Sequence, residues 1–271
     1  MVPHVQFARS GLKTSRLGFG TSRLHYIDTP GRQRLLAEAA ALGISHFDTA
    51  PSYGDGLAER EVGQFLRGRR DRFVIATKYG IPPDPVIAAV PQLSGTLRGV
   101  RAVARCAGFW DTKRPPLTAA GLRQSVEHSL QRLVTDWIDV LLLHEASRER
   151  VPDPASILQE LTNLRARGLI RHFGLAGAWS GISGLGDMGR QIGQIVQTDE
   201  AEWPQESPPD ITYGAISMTR QTAFAGKVEA DAALTRLSVA LARRPNGTVI
   251  VSTTKCENLR RLAAIAAVPA D

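Results

Sequence analysis

The chain is poor in sulfur and in lysine, and it has no long hydrophobic run. Its 271 residues hold only two cysteines, Cys106 and Cys256. They lie far apart and form neither a CxxC pair nor a metal spacing. A disulfide scaffold and a structural zinc site are therefore not expected, and both thiols are read as free in a reducing cytoplasm. No apolar stretch approaches the ~20 residues needed to cross a bilayer. The opening MVPHVQFARS has no continuous apolar segment, so no secretory signal is expected. Only five of the 33 basic residues are lysines. The net charge is +7, yet the arginines are scattered through helix-like stretches. Basic runs interleaved with aromatics are absent, so no nucleic-acid partner is expected. A local anion site for a phosphate remains compatible with this charge.

What is present is a steady alternation. Short apolar or β-branched runs are followed by longer amphipathic ones. HVQFARSGLKTSR reads as a hairpin turning at Ser10-Gly11. Strands are expected at RLGFG, GISHFD, FVIATK, WIDVLLLH, LIRHFGLA, GQIVQTD, ITYGAISM and GTVIVST. Helices are expected over 30–42, 57–66, 118–133, 154–167, 229–243 and 255–267. Gly43, Gly68 and Gly168 follow three of them, where a left-handed residue ends a helix. Thr118 is a plausible cap, and Leu122, Val126, Leu130 and Leu133 form one apolar stripe. The run WIDVLLLH is apolar throughout, as suits a strand covered on both faces. Eight strands in βα order predict a single (β/α)8 TIM barrel over 1–271, with the hairpin closing its bottom.

The chemistry-bearing residues fall at the carboxyl ends of the expected strands. Asp48 and Tyr53 stand in HFDTAPSYG, Lys78 in ATKYG and His144 in LLLHEAS. Barrel enzymes build their sites on that face from several strands. An ammonium beside a phenol stabilises the phenolate. Lys78 is therefore expected to tune Tyr53 from its ordinary ~10 toward working pH. Asp48 can hold Lys78 charged, and His144 can hydrogen-bond a substrate oxygen. His46, His128 and His172 lack such partners and are read as structural. An HxH on the first strand is missing, so no metal is expected.

With HFDTAPSYG, ATKYG and LLLH, the chain resembles the aldo-keto reductases. Further support comes from LGFGTSRL, ARGLIRHFGLAG, IVQTDEAEW and VIVSTTKCENLRRLAA. The resemblance implies NADP-dependent reduction of aldehydes or ketones, or the reverse oxidation, without a metal. It assigns Asp48, Tyr53, Lys78 and His144 to catalysis. It assigns Gln197 to the nicotinamide carboxamide, Tyr213 to stacking on its ring, and Gly20 and Thr21 to the first-strand loop. Ser252, Thr253, Thr254, Lys255 and Asn258 fall where the family grips the adenosine phosphate. A monomer acting on a small carbonyl or alcohol is implied.

The chain also departs from the family pattern. Ala176-Gly177 replaces a Ser-Asn pair that holds the carboxamide. Asn258 replaces an arginine near the 2′-phosphate, with Arg260 and Arg261 close by, and Leu262 replaces an asparagine that reads the adenine. These changes leave NAD open as cofactor, and leave a cofactor-sensing barrel with little turnover as the alternative function. The carboxyl-terminal loop of many members is expected to be missing, as is a full helix between strands six and seven. The segment 79–117 is then the expected substrate lid, with a helix over 96–107 and Phe109 and Trp110 as an apolar wall.

Overall fold

A computed structural model describes residues 1–89, 114–216 and 230–268. The expected helix over 96–107, and Phe109 and Trp110, lie outside the described residues. So does Cys106; Cys256 is a half-buried free thiol.

The barrel strands are β3 (Leu17–Gly20), β4 (His46–Asp48), β5 (Val74–Tyr79) and β6 (Ile138–His144), then β7 (Ile170–Ala176), β8 (Ile195–Asp199), β9 (Ile211–Tyr213) and β10 (Thr248–Val251). Each pairs in parallel with its neighbours, and β10 closes on β3. An antiparallel hairpin, β1 (His4–Gln6) and β2 (Lys13–Ser15), precedes them. Gly11 takes a left-handed φ of 68° in its turn, and the hairpin delivers Phe7 into the barrel interior.

Strand alternation divides the core in two. Odd positions such as Phe19, Phe47, Ile75 and Leu141 join the apolar layer under the helices. Their neighbours Ala76, Val140, Leu142 and Ile195 pack inside the barrel with Phe7. Phe47 meets Phe19, Phe65 and Phe73 at ring centroid distances of 5.3–6.2 Å. Fully buried aromatic clusters of this kind supply a large share of core energy.

The outer helices include α1 (Thr29–Ala41), α2 (Leu57–Leu66), α3 (Pro85–Ala89), α4 (Ala119–Leu133) and α5 (Pro154–Ala166). Asp28, Thr118 and Asp153 cap α1, α4 and α5 through their side chains. After β7 come two short helices, α6 (Trp179–Ser183) and α7 (Gly186–Ile192), where the sequence suggested only a Gly-rich stretch. Gly184 and Leu185 separate them, and Gly186, at φ 57°, opens α7. The expected strand ITYGAISM is cut to three residues, because Gly214 turns left-handed at φ 84°. Helix α8 (Ala230–Arg243) and helix α9 (Cys256–Ala266) complete the described ring. No described helix is long and apolar enough to cross a membrane.

Buried acids tie the layers together away from the barrel mouth. Asp139, at the start of β6, accepts from Arg70, Arg171, Trp137 and the Ile75 amide at 2.6–3.2 Å. Glu59 on α2 is fully buried; it accepts from Thr77 on β5 at 2.7 Å and from Arg132 on α4 at 2.6 Å. Removing one partner of a buried pair leaves the other uncompensated. Asp139→Ala is therefore expected to lower unfolding stability by about 3–5 kcal/mol. Urea unfolding measures this, and an unchanged midpoint would show that Arg70 and Arg171 find other partners.

Candidate active site

Each barrel strand presents one inward position at its carboxyl end. In the first half these are Gly20, Asp48, Lys78 and His144; in the second half, Ala176, Gln197, Tyr213 and Ser252, which directly follows β10. All eight line one cavity of about 1280 Å³ at the mouth of the barrel. The site is thus the top layer of the same alternation that makes the core. The period of two aims these side chains at one space although they are far apart in sequence.

Lys78 is the hub. Its Nζ donates to Asp48 Oδ1 and Oδ2 at 2.7 and 2.8 Å, to Thr49 O at 3.0 Å and to Tyr53 Oη at 3.3 Å. Burial opposes the Lys78 charge as the largest single influence, but Asp48 and Tyr53 together outweigh it, so its pKa lies above the ordinary value. Lys78 is a cation throughout the working range.

Tyr53 reaches this hub from outside the strands. It lies in the loop after β4, where Gly54, Asp55 and Gly56 are all left-handed, at φ 60°, 56° and 85°. That tight reversal launches α2 and turns the phenol over the barrel mouth. Burial raises the Tyr53 pKa most; the nearby Lys78 opposes this, and Asp48 adds to it. The net direction is upward. Burial thus outweighs the ammonium that the sequence places beside the phenol, and the phenol is held protonated more firmly than expected.

The His144 ring meets the Tyr53 ring edge-on, with centroids 6.4 Å apart. Burial is the chief cause that lowers its pKa, and Lys78, Arg114 and Arg150 lower it further, to about 2. His144 is therefore a neutral imidazole with one N–H. Its Nδ1 is buried and has no hydrogen-bond partner among the described residues. His46, one layer below, is buried against Thr14 and likewise neutral, lowered to about 4.

The other sequence candidates divide. Gln197 lines the cavity, but its Nε2 donates to Asp48 Oδ2 at 2.7 Å. Ser252 lines it too and donates to Gly20 O at 3.0 Å. Thr21 is fully buried; its amide and its hydroxyl both go to Asp48 O, so it braces the Asp48 backbone. Thr253 accepts from the Lys255 amide at 3.2 Å and caps that turn. Thr253, Thr254, Lys255 and Asn258 are not part of the cavity lining. Arg260 is paired with Glu38 on α1, and Arg261 with Asp231 on α8. Leu262 is buried in the core.

The structure adds residues that sequence reasoning passed over. Glu145 and Arg114 line the cavity beside His144 and form an ion pair at 3.2 Å. Arg236, Val239 and Arg243 of α8 form its far wall. Nothing in a periodicity marks these loop and helix-face positions. Only the carboxylate directly after His144 offered a signal. No group of three His, Cys, Asp or Glu that could hold a metal occurs among the described residues.

A closed parallel barrel with a buried acid–lysine–tyrosine cluster at its mouth defines the class of protein. Comparison with known proteins then gives the family. The model of the Aldo/keto reductase family matches residues 16–183, and the chain belongs to that family. Among similar proteins, D-threo-aldose 1-dehydrogenase of a Pseudomonas species is 32% identical over 174 residues, covering 62% of this chain and 51% of that protein. L-Galactose dehydrogenase of Arabidopsis thaliana is 28% identical over 176 residues, covering 62% and 46%. The chain thus spans about half the length of the curated relatives it matches. In fold it is similar to an aldo-keto reductase from Bacillus halodurans (TM-score 0.72, 22% identity, 99% and 92% covered). It is also similar to one from Klebsiella pneumoniae solved with NADPH (TM-score 0.66, 21% identity, 99% and 91% covered).

The buried neutral imidazole gives a direct test. His144 is expected to show no protonation between about pH 5 and 8, where an ordinary histidine titrates. Proton–nitrogen spectra of the ring across that range check it, and a midpoint near neutrality would show that the ring is far wetter than its packing implies.

Proposed function

We propose that the chain is an NADP-dependent oxidoreductase that reduces aldehydes or ketones by hydride transfer, or oxidises an alcohol or sugar in reverse, with Tyr53 as general acid–base. The observation that carries this reading is the contact at Tyr53 Oη. A protonated phenol rests on a permanent ammonium, opposite a neutral imidazole, at the floor of a large cavity. The dehydrogenase names of the relatives and the NADPH in the Klebsiella protein are in keeping with it. The chain is taken as one barrel unit acting as a monomer on a small molecule.

The residues present suit a nicotinamide nucleotide. The Tyr213 ring lines the cavity beside Ile250 and Gln197, giving a flat apolar platform with one amide next to it. Burial raises the Tyr213 phenol first, with Glu145 and Asp199 adding to this, so the platform is uncharged. Ala176 and Gly177 offer no polar side chain to a carboxamide, which leaves that end to Gln197. Arg236 lines the cavity and is suited to phosphate oxygens; Ser252 lines it too, with its hydroxyl donating to Gly20 O. Arg260 grips both carboxylate oxygens of Glu38 and Arg261 pairs with Asp231, so either arginine would have to leave its partner to meet a 2′-phosphate.

When bound, NADPH would supply the hydride. The chain's own residues handle the carbonyl oxygen and its proton. Tyr53 accepts from Lys78, so its own O–H is left to point at the substrate. As charge develops on that oxygen, Tyr53 gives up its proton. Lys78 then stands against the tyrosinate, and Asp48 keeps the ammonium in place. His144 donates one hydrogen bond to the same oxygen and stays neutral. Donors already oriented in a site shielded from water stabilise such charge without reorganising.

Tyr53→Phe is expected to cut turnover of NADPH with a reactive aromatic aldehyde by about 10²–10⁴-fold, with cofactor affinity retained. Running wild type with NADH as well separates the two cofactors. The raised Tyr53 pKa also sets a sign. Reduction needs the protonated phenol and should be flat through neutral pH. Oxidation needs the tyrosinate, so its rate should climb as pH rises toward that pKa. A protein that binds NADPH yet reduces no carbonyl would instead fit the cofactor-sensing reading, with Ala176-Gly177 as its cause.

A further inference from the structure

Arg150 stands in the loop after β6, six residues beyond His144. It is not part of the cavity wall, yet its half-buried guanidinium holds the backbone around it. Nη1 donates to His144 O at 2.7 Å and to Glu145 O at 3.1 Å. Nη2 donates to Gly80 O at 2.5 Å and to Pro115 O at 3.1 Å. The Arg150 carbonyl in turn accepts from the Leu117 amide at 2.6 Å. One side chain thus joins the exits of β5 and β6, the strands that carry Lys78 and His144.

The geometry at those exits needs such a tie. Glu145 is left-handed at φ 56°, a conformation that a residue with a bulky side chain seldom takes without support. Arg150 holds the carbonyls of the two peptide units on either side of it. Gly80 is also at positive φ, 134°, and a Cβ there would come within 2.8 Å of His144 O. The two exits therefore pack backbone against backbone. A planar guanidinium can serve several carbonyls at fixed angles, whereas an ammonium is a compact point charge on a flexible stem.

We propose that Arg150 is a positioning residue of this site: by clamping the backbone exits of β5 and β6 it fixes the aim of His144 over Tyr53 and Lys78. The kinetic part of the test rests on the reaction proposed above; the spectroscopic part does not. Arg150→Lys and Arg150→Ala are compared with wild type in kcat and KM for an aromatic aldehyde. NADPH affinity is read by quenching of tryptophan fluorescence. The ring resonances of the six histidines are assigned by substitution. A misaimed donor is expected to lower kcat by roughly 10- to 100-fold, with KM and NADPH affinity changing far less. Lysine should recover little, because it restores the charge and not the fork. The His144 ring resonances should shift or broaden in both variants, while those of His128 and His172 stay in place. Unmoved His144 resonances would overturn the proposal whatever the kinetics, and so would full activity in Arg150→Lys. A wild type that reduces no carbonyl would sink the proposed reaction, while the His144 comparison would still decide the role of Arg150.

Discussion

The ion pair between Lys78 and Asp48 is the contact on which the rest of the site depends. Both side chains are almost wholly buried, and Nζ meets both carboxylate oxygens within 2.8 Å. Taking two charges out of water is costly, and their attraction offsets that cost only when the remaining donors and acceptors are also satisfied. Here they are. Thr49 O takes one Lys78 proton, Tyr53 accepts another, and Gln197 donates to the far Asp48 oxygen. Three strands and a loop must therefore be in register before the pair can form. Such a pair is weak support for stability, and an apolar layer would fill the space at less cost. In the proposed reaction its part is to hold an ammonium against the phenol beside it.

The same economy of buried charge runs through the rest of the barrel. Asp139 gathers β5, β6 and two arginines at the bottom, and Glu59 gathers α2, α4 and β5 at the side. Each of these acids is matched by donors held in place by the backbone. At the mouth the match is left open on one side: the Tyr53 hydroxyl and the His144 ring face a cavity. Apolar burial pushes both the same way chemically, toward the neutral form. An uncharged acid and an uncharged hydrogen-bond donor around one permanent cation suit an oxygen that becomes negative.

Much of this was legible in the chain. Apolar runs of four to eight residues alternating with amphipathic ones gave the eight strands and most of the helices, since period and length report burial directly. Asp48, Lys78 and His144 were legible because polar groups at the ends of apolar runs have few reasons to be there, and Tyr53 because it follows Asp48 in HFDTAPSYG. The departures have physical causes. Helices α6 and α7 hide behind glycines that lower intrinsic propensity, while packing of α7 on β7, and of α6 on α7, supports them. Thr21 and Thr253 looked like ligand-binding hydroxyls, yet both are taken up by backbone groups nearby. Gln197 lines the cavity as a cofactor contact would, and its amide nitrogen also serves Asp48, a second partner that no local pattern showed. Local pattern cannot tell which of several acceptors lies nearest a donor once the chain is folded.

The sequence by itself determined the alternation of elements, the closed barrel that follows from it, and the residue types offered at the strand ends. These depend on which side chains prefer water, and that is a property of each residue. The tertiary structure alone decided how the charges balance. Whether Lys78 lowers the Tyr53 pKa or burial raises it depends on distances across strands and on excluded water. Whether an arginine at position 150 is one more solvated cation or a clamp on four carbonyls depends on which backbone groups converge there. Coulomb and desolvation energies vary with separation and surroundings, and only the folded chain sets these.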